Sequence, residues 1–135
     1  MIAEQVTVFL QNEKGRLMEL TKVLAENRIN ISALSVAETA EYGVMRMLVS
    51  DTDKAIKMLQ KAEFSVKKTN VLLVKTPDVP GALSEILSRL AEDGINVSYM
   101  YGYSRENISN LILKVKDPEK ALKILEKIEL EKLDT

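Results

Sequence analysis

The chain contains no cysteine, no histidine and no tryptophan. Without cysteine there is no disulfide, no thiolate metal site and no cysteine nucleophile. Without histidine the commonest general base and the commonest transition-metal ligand are both missing. No apolar run approaches the roughly 18 residues that a membrane span needs. Charge of one sign is missing too: 19 basic side chains face 20 acidic ones, for a net charge of -1. That balance gives no electrostatic footprint for nucleic acid or for an anionic membrane. The opening Met1-Ile2-Ala3-Glu4-Gln5-Val6 has no basic segment followed by an apolar one, so no signal peptide is expected and the cytoplasm is the default location. No nucleophile is placed beside a base. The expectation is a protein without catalytic residues, metal or cofactor.

What is present is a globular composition, 46% hydrophobic and 29% charged, which argues against disorder. A length of 135 residues suits one ordinary domain or two very small ones. An internal repeat decides for two. Shifted by 66 residues, positions 6–63 align with 72–129 without a gap. The identities include Gly15/Gly81, Leu17/Leu83, Leu24/Leu90, Ile29/Ile95, Asn30/Asn96 and Asp51/Asp117. Copies one and two are expected to span 1–69 and 70–135.

Each copy carries the same pattern. Val6, Val8 and Leu10 alternate with Thr7, Phe9 and Gln11, which is a half-buried strand. A polar turn with Gly15 follows. Leu17, Leu20 and Leu24 then recur at helical spacing over 16–27. Asn27-Arg28 ends the helix; in copy two Asp93-Gly94 does, with Gly94 where a left-handed cap is wanted. Two strands come next, at 30–38 and 43–50, joined near Glu41-Tyr42-Gly43. In copy two they lie at 96–104 and 110–116, joined at Arg105-Glu106-Asn107. Asp51-Thr52-Asp53 and Asp117-Pro118-Glu119 open a second helix. Its buried stripe in copy one is Ala55, Met58, Leu59 and Ala62. The stretch 64–76 must hold the last strand of copy one and the first of copy two. For copy two, the alternation Ile128 to Leu133 offers a closing strand. The fold class is α+β: two tandem ferredoxin-like βαββαβ units with antiparallel sheets and helices on one face. A lone unit of about 60 residues buries only about 60% of its surface, so mutual support is expected.

The strand-to-helix turns Asn12-Glu13-Lys14-Gly15-Arg16-Leu17 and Asp78-Val79-Pro80-Gly81-Ala82-Leu83 are the candidate sites. Backbone amides at a helix start lack internal partners and the helix dipole favours an anion there. Such a turn can hold a carboxylate or phosphate. Gly15 and Gly81 let a ligand approach the backbone. Asn12 or Asp78 can hold the other end of a small zwitterion. Asn30-Ile31 and Asn96-Val97 begin the adjacent strand and are expected to point into the same space. The plainer reading is that both glycines serve the turn and both asparagines the strand entry.

These turns and asparagines resemble those of ACT domains, twice over nearly the whole chain. The resemblance implies a stand-alone tandem ACT protein. In that family domains pair edge to edge, and a free amino acid binds between the first strand–helix turn of one domain and a neighbouring domain. The implied ligand positions are Asn12, Gly15, Leu17 and Asn30 in copy one and Asp78, Gly81, Leu83 and Asn96 in copy two, with Arg16, Ile31, Val79, Pro80, Ala82 and Val97 beside them. Copy one has Lys14 where the family usually has proline, as copy two does at Pro80, so its loop is expected to be less rigid. Asp78 replaces a common asparagine and favours an amino group.

Tyr99, Tyr101 and Tyr103 alternate along one strand and share a face. They either cover an open sheet face or fill a subunit contact, or else Tyr99 or Tyr101 lines the ligand pocket. Phe9, Leu48, Leu73 and Ile112 read as an apolar sheet face without helices over it, a mark of association and hence of a homodimer. The expected function is regulatory: an amino acid sensed at ACT–ACT interfaces modulates a partner enzyme of amino acid metabolism. The alternative is a constitutive interaction subunit without a live ligand site. An RNA-recognition role is disfavoured, since Val44 to Ser50 offers no aromatic residue.

Overall fold

The computed structural model describes residues 1–11, 13–38 and 41–133, the last four of them as backbone. Ten elements follow in order: β1 (Ile2–Gln11), α1 (Arg16–Glu26), β2 (Ile31–Glu38), β3 (Tyr42–Val49), α2 (Thr52–Lys61), β4 (Ser65–Pro77), α3 (Ala82–Glu92), β5 (Val97–Arg105), β6 (Ile108–Val115) and α4 (Pro118–Leu133). They form two compact units. One comprises residues 4–69; the other comprises 70–135 together with 1–3.

In the unit of residues 4–69 the strands lie in the order β2-β3-β1-β4. β3 pairs antiparallel with both β1 and β2. Val6, Val8 and Leu10 share one core with Met45 and Met47 of β3, Leu20 and Leu24 of α1, and Ala55 and Leu59 of α2. Both helices therefore cover the same sheet face, the one that period-two alternation assigns to the apolar residues. Ile56, rather than Met58, packs at the edge of this core. In the other unit Leu72, Leu113 and Val115 meet Ile86 and Leu90 of α3 and Ala121 of α4 in the same arrangement. β6 pairs antiparallel with β4 and β5.

Helix ends follow from local chemistry. Asp51 and Asp117 accept hydrogen bonds from the amides of Lys54 and Lys120, each at 3.1 Å. Three helices end in a left-handed residue whose follower reaches back to a carbonyl one turn earlier. The bonds are Ile29 N–H to Leu24 O at 2.9 Å, Phe64 N–H to Leu59 O at 3.0 Å and Ile95 N–H to Leu90 O at 2.9 Å. Gly94 takes this conformation freely, whereas Arg28 and Glu63 hold it at φ 56° and 66°.

Several expectations are corrected. Tyr42 and Gly43 belong to β3 rather than to the hairpin turn, and residues 39 and 40 lie outside the described set. The second hairpin turns on Glu106-Asn107 alone, both at positive φ, the pair of conformations that suits the twist of two-residue hairpins. Residues 128–133 do not form a strand: α4 runs on to Leu133. The place beside β4 is taken by the chain start, where Met1 and Leu73 exchange backbone hydrogen bonds of 2.8 and 3.0 Å. On the helix-free face only Phe9 of the four apolar residues expected there is exposed, at 36%. Ile112 is 0% exposed, with Leu73 and Tyr101 as its register neighbours, and Leu48 and Leu73 are half-buried.

Candidate ligand-binding turns

The two strand–helix turns have the same backbone. In copy one Glu13 N–H donates to Gln11 O at 2.7 Å, Arg16 N–H to Glu13 O at 3.3 Å and Glu19 N–H to Gly15 O at 2.9 Å. In copy two the matching bonds are Val79 to Pro77 at 3.0 Å, Ala82 to Val79 at 3.3 Å and Glu85 to Gly81 at 3.0 Å. Gly15 and Gly81 sit at φ 90° and 88° immediately before their helices. Lys14 therefore supports the same turn as Pro80. A Cβ on either glycine would meet nothing within 4 Å, so φ, not crowding, is what demands glycine.

These two helix starts differ from the other two. α2 and α4 are capped by their own aspartates; among the described residues, α1 and α3 have no side-chain cap. The first-turn amides without a backbone acceptor, those of Leu17 and Met18 in α1 and of Leu83 and Ser84 in α3, are left for solvent or a ligand. Asn12 itself lies outside the described residues. Asp78 is engaged locally: its amide donates to Asn107 O at 2.9 Å and its carboxylate accepts from Ser109 Oγ at 3.3 Å. The copy-two turn is thereby tied to the Glu106-Asn107 hairpin. Val79 and Leu83 are exposed beside it, as are Pro80 and Gly81, while Ala82 is half-buried.

The asparagine pair is not brought to these turns within a unit. Gln11 and Leu10 lie opposite Tyr42 and Gly43, at one end of β3, whereas Ile31 lies opposite Val49 at the other. The separation is most of a strand, about 20 Å at roughly 3.3 Å per residue. Asn30 instead joins Ser50 through its amide to Ser50 Oγ and its carbonyl to the Ser50 amide, both 2.9 Å. Ile31 and Val97 pack at the margins of the cores. Asn96 lines a separate open cleft with Ser98, Lys114, Lys116 and Lys120. Tyr99 pairs in register with Lys114, at that same far end, so of the tyrosine row Tyr103 lies nearest the Gly81 turn.

Two clefts flank the copy-one turn. One, about 210 Å³, is lined by Leu17, Val36, Glu38 and Gly43 on the β2 side. The other, about 490 Å³, is lined by Phe9, Glu13, Arg16, Glu19, Glu63 and Ser65 on the α2 side. Arg16 belongs to both. Its Nη1 donates to Glu19 at 2.8 Å and its guanidinium lies 4.1 Å above the Phe64 ring. Sequence reasoning found Arg16 but missed its companions. The Arg16–Glu19 spacing of one helical turn was a usable signal. Phe64 offered none, being distant in sequence.

This fold, built twice around uncapped glycine turns, is that of a pair of ACT domains. The family model described as an ACT domain pair matches residues 1–135, and the chain belongs to that family. The crystal structure of protein BT0572 from Bacteroides thetaiotaomicron is 40% identical, with a TM-score of 0.92 over 96% of this chain and 90% of that one. The ligand-free regulatory subunit of aspartate kinase from Thermus thermophilus shares the fold at 16% identity, TM-score 0.67, covering 94% of this chain and 96% of that one. The corresponding subunit from Thermus flavus does so at 11% identity, TM-score 0.64, with 93% and 95% covered. No curated protein matches the chain.

Proposed function

We propose that this chain is a regulatory module that senses a free amino acid at its strand–helix turns and so changes the affinity for a partner enzyme of amino acid metabolism. One observation carries this reading. Among the described residues, the two helices that begin at Gly15 and Gly81 are the two without a side-chain cap, while their sister helices are capped by aspartate. An anionic ligand group can complete such a helix start. The likeness in fold to regulatory subunits of aspartate kinase supports the assignment. Coupling of this kind is a differential binding energy, typically about 1–3 kcal/mol.

Asn30 and Asn96 stand too far from the turns of their own units to share a ligand with them. In this reading they serve a ligand held against a neighbouring domain, which a homodimer supplies. The competing role, a constitutive interaction subunit, predicts no ligand at all. A melting series against the twenty amino acids separates the two. Ligand at 100 times its dissociation constant stabilises by about 2.7 kcal/mol, which raises the midpoint by several degrees in a domain of this size. One amino acid or a chemically related few producing that rise is the expected result. A flat series points to the constitutive subunit.

A further inference from the structure

The two copies close differently. In copy one α2 ends at Lys61, Glu63 turns the chain at φ 66°, and Phe64 leads into β4, which opens with Ser65 and Val66. Phe64 is 5% exposed and shares a core with Val8 and Leu59, and Val66 packs against that core. In copy two the matching residues 129–132 stay in α4, which continues to Leu133. Among the described residues, no strand comes back from the end of that helix.

The burial of twin positions registers this difference. Val8 and Leu59 are 0% exposed, whereas their counterparts Val74 and Leu125 are half-buried. Together with Met1, Leu73 and Leu122 they line a groove of about 510 Å³ between β4 and α4. The edge of β4 is open beside it. Met1 and Leu73 exchange both of their backbone bonds, the pattern of an antiparallel pair, so Leu73 turns its N–H and C=O away from β6. Lys75, two residues on and exposed, turns its own to the same edge. Among the described residues no strand beyond Met1 meets them.

A strand laid along such an edge gains main-chain bonds and sets alternate side chains into the groove beside it. Copy one shows which side chains fit there: an aromatic and an aliphatic residue two apart, as Phe64 and Val66 are. The residue between them would stand opposite Lys75 and face away from α4, so its two neighbours face the groove.

We infer that this groove is a docking site for an extended segment of a partner protein. The segment pairs antiparallel with β4 at Lys75 and sets two apolar side chains, aromatic then aliphatic and two residues apart, against Val74, Leu122 and Leu125. The inference does not rest on the amino-acid reading above.

The probe is a synthetic peptide with the sequence Lys61-Ala62-Glu63-Phe64-Ser65-Val66-Lys67, titrated into the full chain and followed by amide resonances. Saturable shifts are expected at 73–76 and 122–129. The same peptide with Phe64→Ser and Val66→Ser should bind more weakly by about tenfold or more, since burial of those two side chains supplies the affinity. In the protein, Lys75→Pro removes an edge N–H that does not serve β6, so it should weaken the peptide severalfold and spare the fold. The substituted peptide needs no change in the protein, so it decides even if that variant folds poorly. No saturable binding at millimolar peptide, equal binding of the substituted peptide, or shifts away from the groove would each overturn the inference. Two results on the chain alone would do so as well. Strand-type carbon shifts at 129–133 would mean that its own C-terminal stretch closes the groove. Groove shifts that change with protein concentration would mean that a second copy does. None of these outcomes touches the amino-acid melting series.

Discussion

Glycine at four positions meets three different situations, and substitution tells them apart. Gly15 and Gly81 hold φ near +90° in open space, so Gly15→Ala and Gly81→Ala each cost the left-handed penalty of an L-residue, about 1–2 kcal/mol. Asparagine, which tolerates that region, should recover part of the loss. Gly102 is crowded instead: a Cβ there would sit 2.6 Å from the carbonyl oxygen of Asn110 on the paired strand. Gly102→Ala should cost more than either turn variant, because backbone must move. Gly43, whose Cβ would meet its nearest atom at 3.6 Å, should accept alanine at little cost. Urea unfolding of the four alanine variants checks this order; a Gly102→Ala protein as stable as wild type would contradict it. At this scale the sequence spoke clearly about Gly15 and Gly81, because a strand pattern running into a helix pattern leaves a glycine little else to do. It was silent about Phe64 beneath Arg16. That contact depends on the left-handed Glu63, and glutamate gives no sign of such a conformation.

Caps and ion pairs settle where the elements begin and how they are clipped. Asp51→Ala and Asp117→Ala remove the side-chain acceptors at α2 and α4 and should each lower stability by about 1 kcal/mol. Lys68 on β4 bridges Glu4 of β1 at 2.9 Å and Asp53 of α2 at 3.3 Å. The hydrogen bonds it donates to Glu4 and then to Asp53 raise its pKa above the ordinary 10.5. The sign follows from the folded value being the higher one: the contribution is complete below pH 10.5 and is lost as pH rises through the raised pKa. The stability gap between wild type and Lys68→Met should therefore close in strongly alkaline buffer. A gap unchanged there would show that the bridge is not what the substitution removes. The pairing of strands and helices was legible from period and from the aspartate caps. The fate of 128–133 was not. Ile128 continues the α4 stripe of Ala121 and Leu125 as well as it starts an alternation, and nothing between Glu126 and Leu133 is a helix breaker. A short β-like alternation in a run of good helix formers stays ambiguous until its neighbours are known.

Apart from Phe9 and Tyr42, the large apolar side chains left exposed in the unit of residues 4–69 lie along β2 and at the start of α1. Leu34 is 53% and Val36 48% exposed, on the face that β2 shares with Met45 and Met47, and Leu17 lines the same cleft as Val36. An edge strand with an apolar flank is a pairing surface. It replaces the helix-free face as the ground for expecting a homodimer. Val36→Asp should halve the mass measured by light scattering while leaving the circular dichroism spectrum intact; a wild type that is already monomeric at micromolar concentration would remove the dimer from the account. Copy two has Gly102 where copy one has Val36, so its edge lacks that side chain.

The central claim is that the glycine turns are where an amino acid acts on this protein. Its most direct measurement is an amide-resonance map of the full chain, with and without the amino acid that raises the melting midpoint. The largest shifts are expected at 13–19 or 79–85, where free amides of the first helical turn would donate to the ligand's carboxylate. Saturable shifts confined to residues far from both turns, or a spectrum that no amino acid alters, would contradict it.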